Sequence, residues 1–600
     1  MSRNSQPGAS KRREKTDRSG SAGLGPSRRT FLKAWSWAAA ALGLTSYASY
    51  GPARGASAVA QPAAKTQSGK PRNIILIITD QESHKLLAPE DYKLPARDAL
   101  RQRGTSFERH YIASAMCTPS RAVMFSGQPP QVNGVFDQME LGYVPSLRTD
   151  KPSMGTIMKQ LGYTTAYYGK FELRRDIIRP SDEVNYTDAL KEYGFDYFAP
   201  DGDKVGAPDQ GYDTDNYTAG EAVRWLRTNA QKLNADGKPF FMVVSFVSPH
   251  DIMYADANPK GEHIQASKIG ATITPPPDNE LYGAKWKFPL SPSHTDPIDG
   301  PGRPKAQMQY QLGWSAFLGD IPDKQDGMWR TFYNYYLNLI RDNDRNLQLV
   351  LDALDNLDLW SDTVVVRTAD HGELAGSHGG LRGKGPFPYE EETHVPLVIV
   401  DPDRPGGRTC NALTSHIDLI PTLAGLSGAP QERRDKAVAG LPGHDASKLL
   451  EAPETAGAAA LREGVLFNYV GLQTIDADYL AKACKSIVEN EWVPPLAELH
   501  PNLSHRGFIN FTYDGRYKFA RYFAPDDFNA PTTLDEILGG NDAQLFDLDT
   551  DPDERQNLVL EPETHKSTIL RMNALMNRLI KREVGNNDGQ FLPKAVRPKA

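Results

Sequence analysis

The chain has 600 residues, of which 39% are hydrophobic and 24% charged, and a formal net charge of -7. That length suits one large core with a smaller companion. The ordinary globular composition, with no basic run beyond the first 35 residues, excludes a nucleic-acid-binding role.

The first segment does not read as fold. Arg28 and Arg29 precede Phe31 and Leu32, and an apolar stretch then ends in small residues at Ala56-Ser57-Ala58. Lys33, Ser36 and Thr45 interrupt that stretch, which falls short of the ~20 apolar residues of a membrane span. Residues 1–58 are read as a twin-arginine signal peptide and 59–70 as a flexible linker. Loss of the ten basic and two acidic residues of 1–58 takes the net charge from -7 to -15. The expectation is an acidic protein, periplasmic or secreted, carried out by the twin-arginine translocase, with no stable membrane span.

From residue 71 the pattern alternates. "RNIILIIT" (72–79) is a near-continuous apolar run, the mark of a strand buried on both faces. "ARDALRQRG" reads as a short helix, "TSFERHYI" as a strand, and "MGTIMKQLGY" followed by "TTAYYG" as helix then strand. "YTAGEAVRWLRTNAQKL" is an amphipathic helix and "PFFMVVSFV" a further buried strand. Residues 251–330, rich in Pro, Gly and Asp, read as a long insertion that covers the site. A long helical repeat starts at "WRTFYNYYL", and "DTVVVRTAD" and "VPLVIV" are two more buried strands. Beyond about 440, "INFTYDGRYKFARYFA" reads as a hairpin turning at Asp514-Gly515, and "STILRMNALMNRLIKRE" as a C-terminal helix. The predicted fold is α/β: a large mostly parallel or mixed sheet sandwiched by helices over 71–440, with a smaller antiparallel sheet plus helix over 441–600. Three cysteines supply no disulfide framework; Cys410 and Cys484 either pair or stand as separate thiols.

Ligands of such sheets gather at the carboxyl ends of the strands, and the chemistry-bearing residues lie there. Asp80 and Gln81 follow the first strand, Lys170 follows "TTAYYG", His250 follows "MVVSFVSP", and Asp370 and His371 follow "TVVVRTA". Oxygen donors at two strand ends suit a hard divalent cation, and His371 adds a nitrogen. Cys117 stands in "CTPSR", where Thr118 suits a helix cap, Pro119 its first turn and Gly127 its end. A thiol at a helix start beside Arg121 is expected to have a lowered pKa. The alternative is a buried apolar cysteine. Three residues between Cys117 and Arg121 are too few for a cysteine-dependent phosphatase loop. Lys170, His250 and Lys384 would together form a cationic pocket for a tetrahedral oxyanion.

"CTPSR" with "SGQ", "NIILIITDQ", "TADHGELAGSHGGLRGKGPFPYEE" and "QLFDLDTDPDERQNL" resemble the sulfatase family, the formylglycine enzymes of the alkaline-phosphatase-like superfamily, over about 71–580. The resemblance implies oxidation of Cys117 to 3-oxoalanine (formylglycine) by a formylglycine-generating enzyme that reads Thr118, Pro119 and Arg121. One hydroxyl of the hydrated aldehyde would attack sulfur and displace the alcohol. The other would lose its proton and expel sulfate, restoring the aldehyde. The resemblance further implies one Ca2+ (Mg2+ or Mn2+ possible in its place) on Asp80, Gln81, Asp370, His371 and modified Cys117. It places Arg121 on the formylglycine hydroxyls, Lys170 and Lys384 on sulfate oxygens and His250 near the leaving group; His378 fits a recurring family histidine.

Two departures stand out. Glu172 occupies a position where the family has histidine. It could act as a base, although its charge would repel an anionic ester, or it reaches the metal or a cationic substrate. His394 stands where arginine is common. The implied activity is hydrolysis of a small-molecule or carbohydrate sulfate ester. The alternatives are a phosphonate monoester or phosphodiester hydrolase of the same superfamily, or a non-catalytic binding protein on this scaffold.

Overall fold

The computed structural model describes residues 71–178, 186–198, 202–489, 491 and 496–598. The signal peptide and linker of the sequence reading lie outside the described residues. The described residues form one compact unit. No helix among the described residues is long and apolar enough to cross a membrane.

The strands in chain order are β1 (Asn73–Asp80), β2 (Thr105–Phe107), β3 (His110–Tyr111), β4 (Thr164–Gly169), β5 (Phe240–Pro249), β6 (Thr363–Ala369), β7 (Leu397–Val400), β8 (Arg408–Cys410), β9 (Thr414–Ser415), β10 (Val465–Tyr469), β11 (Phe508–Tyr513), β12 (Tyr517–Phe523) and β13 (Asp542–Asp547). A seven-stranded sheet has the order β4-β5-β1-β6-β7-β2-β8. Its β4-β5-β1-β6 part is parallel, with Ile74 opposite Phe241 on one side and Val364 on the other. β7 pairs antiparallel with both β6 and β2, which makes the sheet mixed. "TSFERHYI" does not run as one strand: β2 joins the large sheet and β3 pairs with β9 in a separate ribbon.

The continuous apolar run of β1 is explained by burial of both faces. Ile74, Leu76 and Ile78 pack with Phe125, Ile157 and Leu423 on one face. Ile75 and Ile77 pack with Ala222, Trp225, Leu347 and Leu354 on the other. Side chains alternate across a strand, so a helical layer on each side demands apolar residues at every position.

β10-β11-β12-β13 form the smaller antiparallel sheet. The hairpin turn lies at Asp514-Gly515 as read, with Gly515 at φ 101° in a region where a side chain is disfavoured. One face packs Leu466, Phe519 and Leu545 against Ile569, Met572 and Leu579 of the helix Pro562–Glu583. The other face presents Phe467, Phe511 and Tyr522 to Tyr111, Met116, Tyr310 and Phe387 of the larger part. The segment leading into Cys117 is therefore backed by the second sheet.

The 251–330 segment is less irregular than its composition suggests. A helix spans Lys305–Leu318 and buries Tyr310, Trp314 and Phe317. Intervening glutamines in "KAQMQYQLGW" obscure the helical spacing of those rings. Cys117, Cys410 and Cys484 are all free and buried, which settles Cys410 and Cys484 as separate thiols.

A buried ion cluster ties the end of β1 to its neighbours. Arg97 donates to Glu82 at 3.0 and 2.7 Å and to Asp344 at 2.9 Å. Arg367 of β6 pairs with the same Glu82 carboxylate. Burial opposes the charge of Glu82, yet Arg367 and Arg97 hold its pKa well below the usual carboxylate range. Removing one partner of such a cluster leaves uncompensated buried charge. Glu82→Ala is expected to cost about 3–5 kcal/mol in denaturant or thermal unfolding; a loss below about 1 kcal/mol, the range of an exposed pair, would contradict this role for the cluster.

Candidate active site

The site forms where β1, β4, β5 and β6 end. Asp370 follows β6 and its amide donates to Thr79 O at 3.1 Å, so it stands beside Asp80. Both carboxylates have no solvent exposure. Gln81 adopts a left-handed conformation, φ 71°, and its amide donates to Asp370 Oδ1 at 3.1 Å.

The helix Cys117–Ser126 brings the cysteine to these carboxylates. It begins at Cys117 itself, and Met116, without a side-chain bond, occupies the cap position. Thr118 is not the cap; its hydroxyl accepts from Met139 N instead. Gly127, φ 68°, ends the helix as read. Ser120, one turn in, donates to Asp370 O at 2.5 Å and locks the helix to β6.

Cys117 Sγ lies 3.2 Å from His371 Nε2 and 3.7 Å from Asp80 Oδ1. The ligand atoms of Asp80, Cys117, Asp370 and His371 all fall within 4.8 Å of one another. Two buried carboxylates, an imidazole and the group at 117 are a donor set that fits a divalent cation. Gln81 stands beside this set: its amide oxygen accepts from Lys384 Nζ and its amide nitrogen donates to Glu373.

Fixed cations balance the carboxylates. Arg121 lies 3.2 Å from Asp80 Oδ2 and 2.9 Å from Asp370 Oδ2, and donates to Lys170 O and Ser245 Oγ, each at 2.8 Å. Lys170 Nζ is 2.7 Å from Asp80 Oδ2 and 3.1 Å from Glu172 Oε2. Burial opposes ionisation of Asp80, but Lys170, His250, Arg121 and His371 hold its pKa well below the usual carboxylate range.

Three groups titrate differently from their sequence expectation. Burial and the neighbouring Asp80 push the Cys117 thiol far up, so the expected lowering at a helix start is overturned: desolvation and carboxylates outweigh the helix end. Burial raises Glu172 to about 8, so its carboxyl is largely neutral at pH 7 and the expected repulsion of an anionic ester is removed. Burial, then Lys384, pushes His250 well below the usual histidine range.

The structure gathers Asp80, Gln81, Cys117, Arg121, Lys170, Glu172, His250, Asp370, His371 and Lys384 around one centre. His378 lies apart, stacked on Tyr389 at 3.5 Å between ring centroids and 3.1 Å from Glu391. His394 stacks between His84 and Tyr111 and contacts Glu390 at 2.7 Å. Sequence reasoning missed Ser245, Glu373 and Asp203. The last accepts from the amides of Phe171 and Glu172, both at 2.7 Å; its only sequence signal was the turn-rich "DGDKVG".

Comparison with known proteins identifies the family. The Sulfatase family model matches residues 72–429. An ulvan-active sulfatase of Formosa agariphila is 26% identical over 509 residues, covering 82% of this chain and 78% of that protein. BT4656, solved in complex with its substrate D-glucosamine-2-N,6-O-disulfate, superposes with TM-score 0.56 at 19% identity over 87% of this chain and all of that one. A phosphonate monoester hydrolase from Silicibacter pomeroyi superposes with TM-score 0.57 at 21% identity, covering 85% and 96%. At these identities the two structures speak for the fold. The family match and the convergence of its motif residues on one buried centre lead to one assignment: the chain belongs to the sulfatase family and is a sulfuric ester hydrolase.

Proposed function

We propose that this protein hydrolyses a sulfate ester through formylglycine formed from Cys117, with a divalent cation, calcium by preference, held by Asp80, Asp370, His371, residue 117 and Gln81. The observation that carries the reading is the packing of Cys117 among Asp80, Asp370 and His371 within 4.8 Å. The raised thiol supports it further: burial and Asp80 disfavour the thiolate that attack by an unmodified Cys117 would require. The aldehyde hydrate supplies two hydroxyls, one to attack sulfur and one to expel sulfate. The cation would supply Lewis-acid charge at the attacking hydroxyl and the sulfuryl oxygens.

The remaining work falls to the chain's own residues. Arg121, fixed between both carboxylates, orients them and residue 117. Lys170 and Lys384 present ammonium groups to the sulfuryl oxygens, where charge accumulates as the ester breaks. Neutral Glu172 can donate an O–H to the ester without repelling it. Burial and Lys384 keep His250 neutral; an anionic ester brought beside it favours the imidazolium, which can then protonate the departing alkoxide.

We take 71–440 as the catalytic part, 251–330 as its cover and 441–600 as its support. Export through the twin-arginine translocase, after modification by a formylglycine-generating enzyme, follows from the signal read at 1–58. The ulvan-active relative favours a carbohydrate ester over an aryl one. A phosphonate monoester would meet the same cations, so the deciding experiment compares hydrolysis of an aryl sulfate and an aryl phosphonate, with mass analysis of the peptide bearing residue 117. Faster phosphonate turnover would reverse the substrate assignment, and active protein with only a thiol at 117 would refute the mechanism.

Asp370→Ala removes a charged donor from the cation set and releases Arg121 from one of its two carboxylate partners. Loss of both bound metal and turnover is expected, measured by elemental analysis and ester hydrolysis; an active, metal-free variant would sink the assignment. The pH dependence follows from Glu172. Its pKa is raised from 4.5 to about 8, so the neutral form persists through neutrality and is lost as pH rises through that value. Ionisation then repels the ester, and kcat/KM should fall about tenfold per pH unit above it. Glu172→Gln should move this alkaline limb to higher pH; an unmoved limb would show that another group controls it.

A further inference from the structure

The segment 202–211 touches the anion end of the site at three places. Asp203 spends both carboxylate oxygens on the turn after β4, accepting from Phe171 N and Glu172 N at 2.7 Å each and from Lys204 N at 2.8 Å. That turn needs a clamp, because Glu172 sits at φ 57°, a left-handed conformation that a residue with a side chain rarely adopts. The same turn sets the direction of Lys170, whose carbonyl is held by Arg121 and whose ammonium lies on Asp80, Glu172 and Val205 O at 3.2 Å.

The segment is itself fixed. Gln210 Oε1 accepts from the amides of Val205, Gly206 and Ala207 at 2.9, 2.7 and 3.2 Å. Asp251, next to His250, accepts from Gly211 N and Tyr212 N at 2.9 and 2.8 Å. Gly206 lies flat against His250: a Cβ there would come within 2.5–2.9 Å of three ring atoms. One short segment therefore contacts the two elements that present Lys170, Glu172 and His250.

We propose that residues 202–211 are a positioning strap for the anion subsite, and that Asp203 is the positioning residue through which the strap sets Lys170 and Glu172 on the sulfuryl group. The proposal rests on the sulfate-ester reading above. Asp203 touches no reacting atom; it acts by fixing the 170–172 turn, while Gln210 fixes Asp203's own segment.

The test uses the full-length, metal-loaded enzyme and two readouts, kcat/KM on an aryl sulfate and affinity for inorganic sulfate by calorimetry. Asp203→Asn keeps the shape but replaces one acceptor oxygen with a donor. It should lower kcat/KM about 10²-fold, the scale of a small misplacement of reacting groups. Sulfate affinity should fall about tenfold, metal content being unchanged. In the Glu172→Gln background the same change should cost much less, because both act through one turn. Gln210→Ala should weaken sulfate binding, and Gln210→Glu, which keeps an oxygen acceptor, should restore most of it. A folded, metal-bearing Asp203→Asn variant equal to wild type in both readouts overturns the proposal, as do losses that multiply fully with Glu172→Gln. Should Asp203→Asn fail to fold, the Gln210 pair decides: equal sulfate affinity in the alanine variant overturns the strap. Wild-type protein inactive on both the aryl sulfate and a sulfated carbohydrate refutes the sulfate-ester reading alone, and the sulfate affinities then still decide about Asp203.

Discussion

Two carboxylates, Asp80 and Asp370, are held side by side with no solvent exposure at the ends of adjacent parallel strands. Unpaired, they would repel each other and lose the hydration that stabilises their charge. The neighbouring chemistry meets that constraint. Arg121 bridges the two, Lys170 takes the outer oxygen of Asp80, and His371 completes the enclosure. Such a donor set suits a divalent cation, while burial and Asp80 push the thiol at 117 up.

Rigidity around this centre comes from layers beyond it. Glu82, two residues past Asp80, joins the helix Pro95–Arg103 to β6 through Arg97 and Arg367. Ser120 ties the cysteine-bearing helix to Asp370, and His416 links Ser120 to Ala369 O. Glu373 gathers the amides of Ala375 and Gly383 and the Gln81 side chain. The second sheet presses Phe467 and Phe511 on the approach to Cys117. The site is thus braced on several sides by interactions whose partners are far apart in sequence.

Strand-end motifs were legible because strand ends are local. The apolar runs of β1, β5 and β6 declare burial on both faces, and the residues after them must lie at one edge of a parallel sheet. That reasoning reached Asp80, Gln81, His250, Asp370 and His371. Residue chemistry at "CTPSR" and "GGLRGKG" singled out Cys117, Arg121 and Lys384, and the family resemblance gave them roles. Asp203, Ser245 and Glu373 escaped it. Asp203 lies in a turn-rich stretch whose composition promises only a loop, and Ser245 is one polar residue within an apolar strand. The helix Lys305–Leu318 escaped because its buried rings alternate with glutamines, which blurs the period.

What the sequence by itself determined is the layered α/β architecture, the antiparallel hairpin at Asp514-Gly515 and the candidate residues for the chemistry, since periodicity, turn residues and motif spacing are short-range properties of the chain. Only the tertiary structure decided the protonation of Cys117, Glu172 and His250, the separation of Cys410 from Cys484, and the clamp of Asp203 on the 170–172 turn. Each of those depends on burial and on charges or backbone amides supplied by other segments, and desolvation energy has no value until the segments have packed.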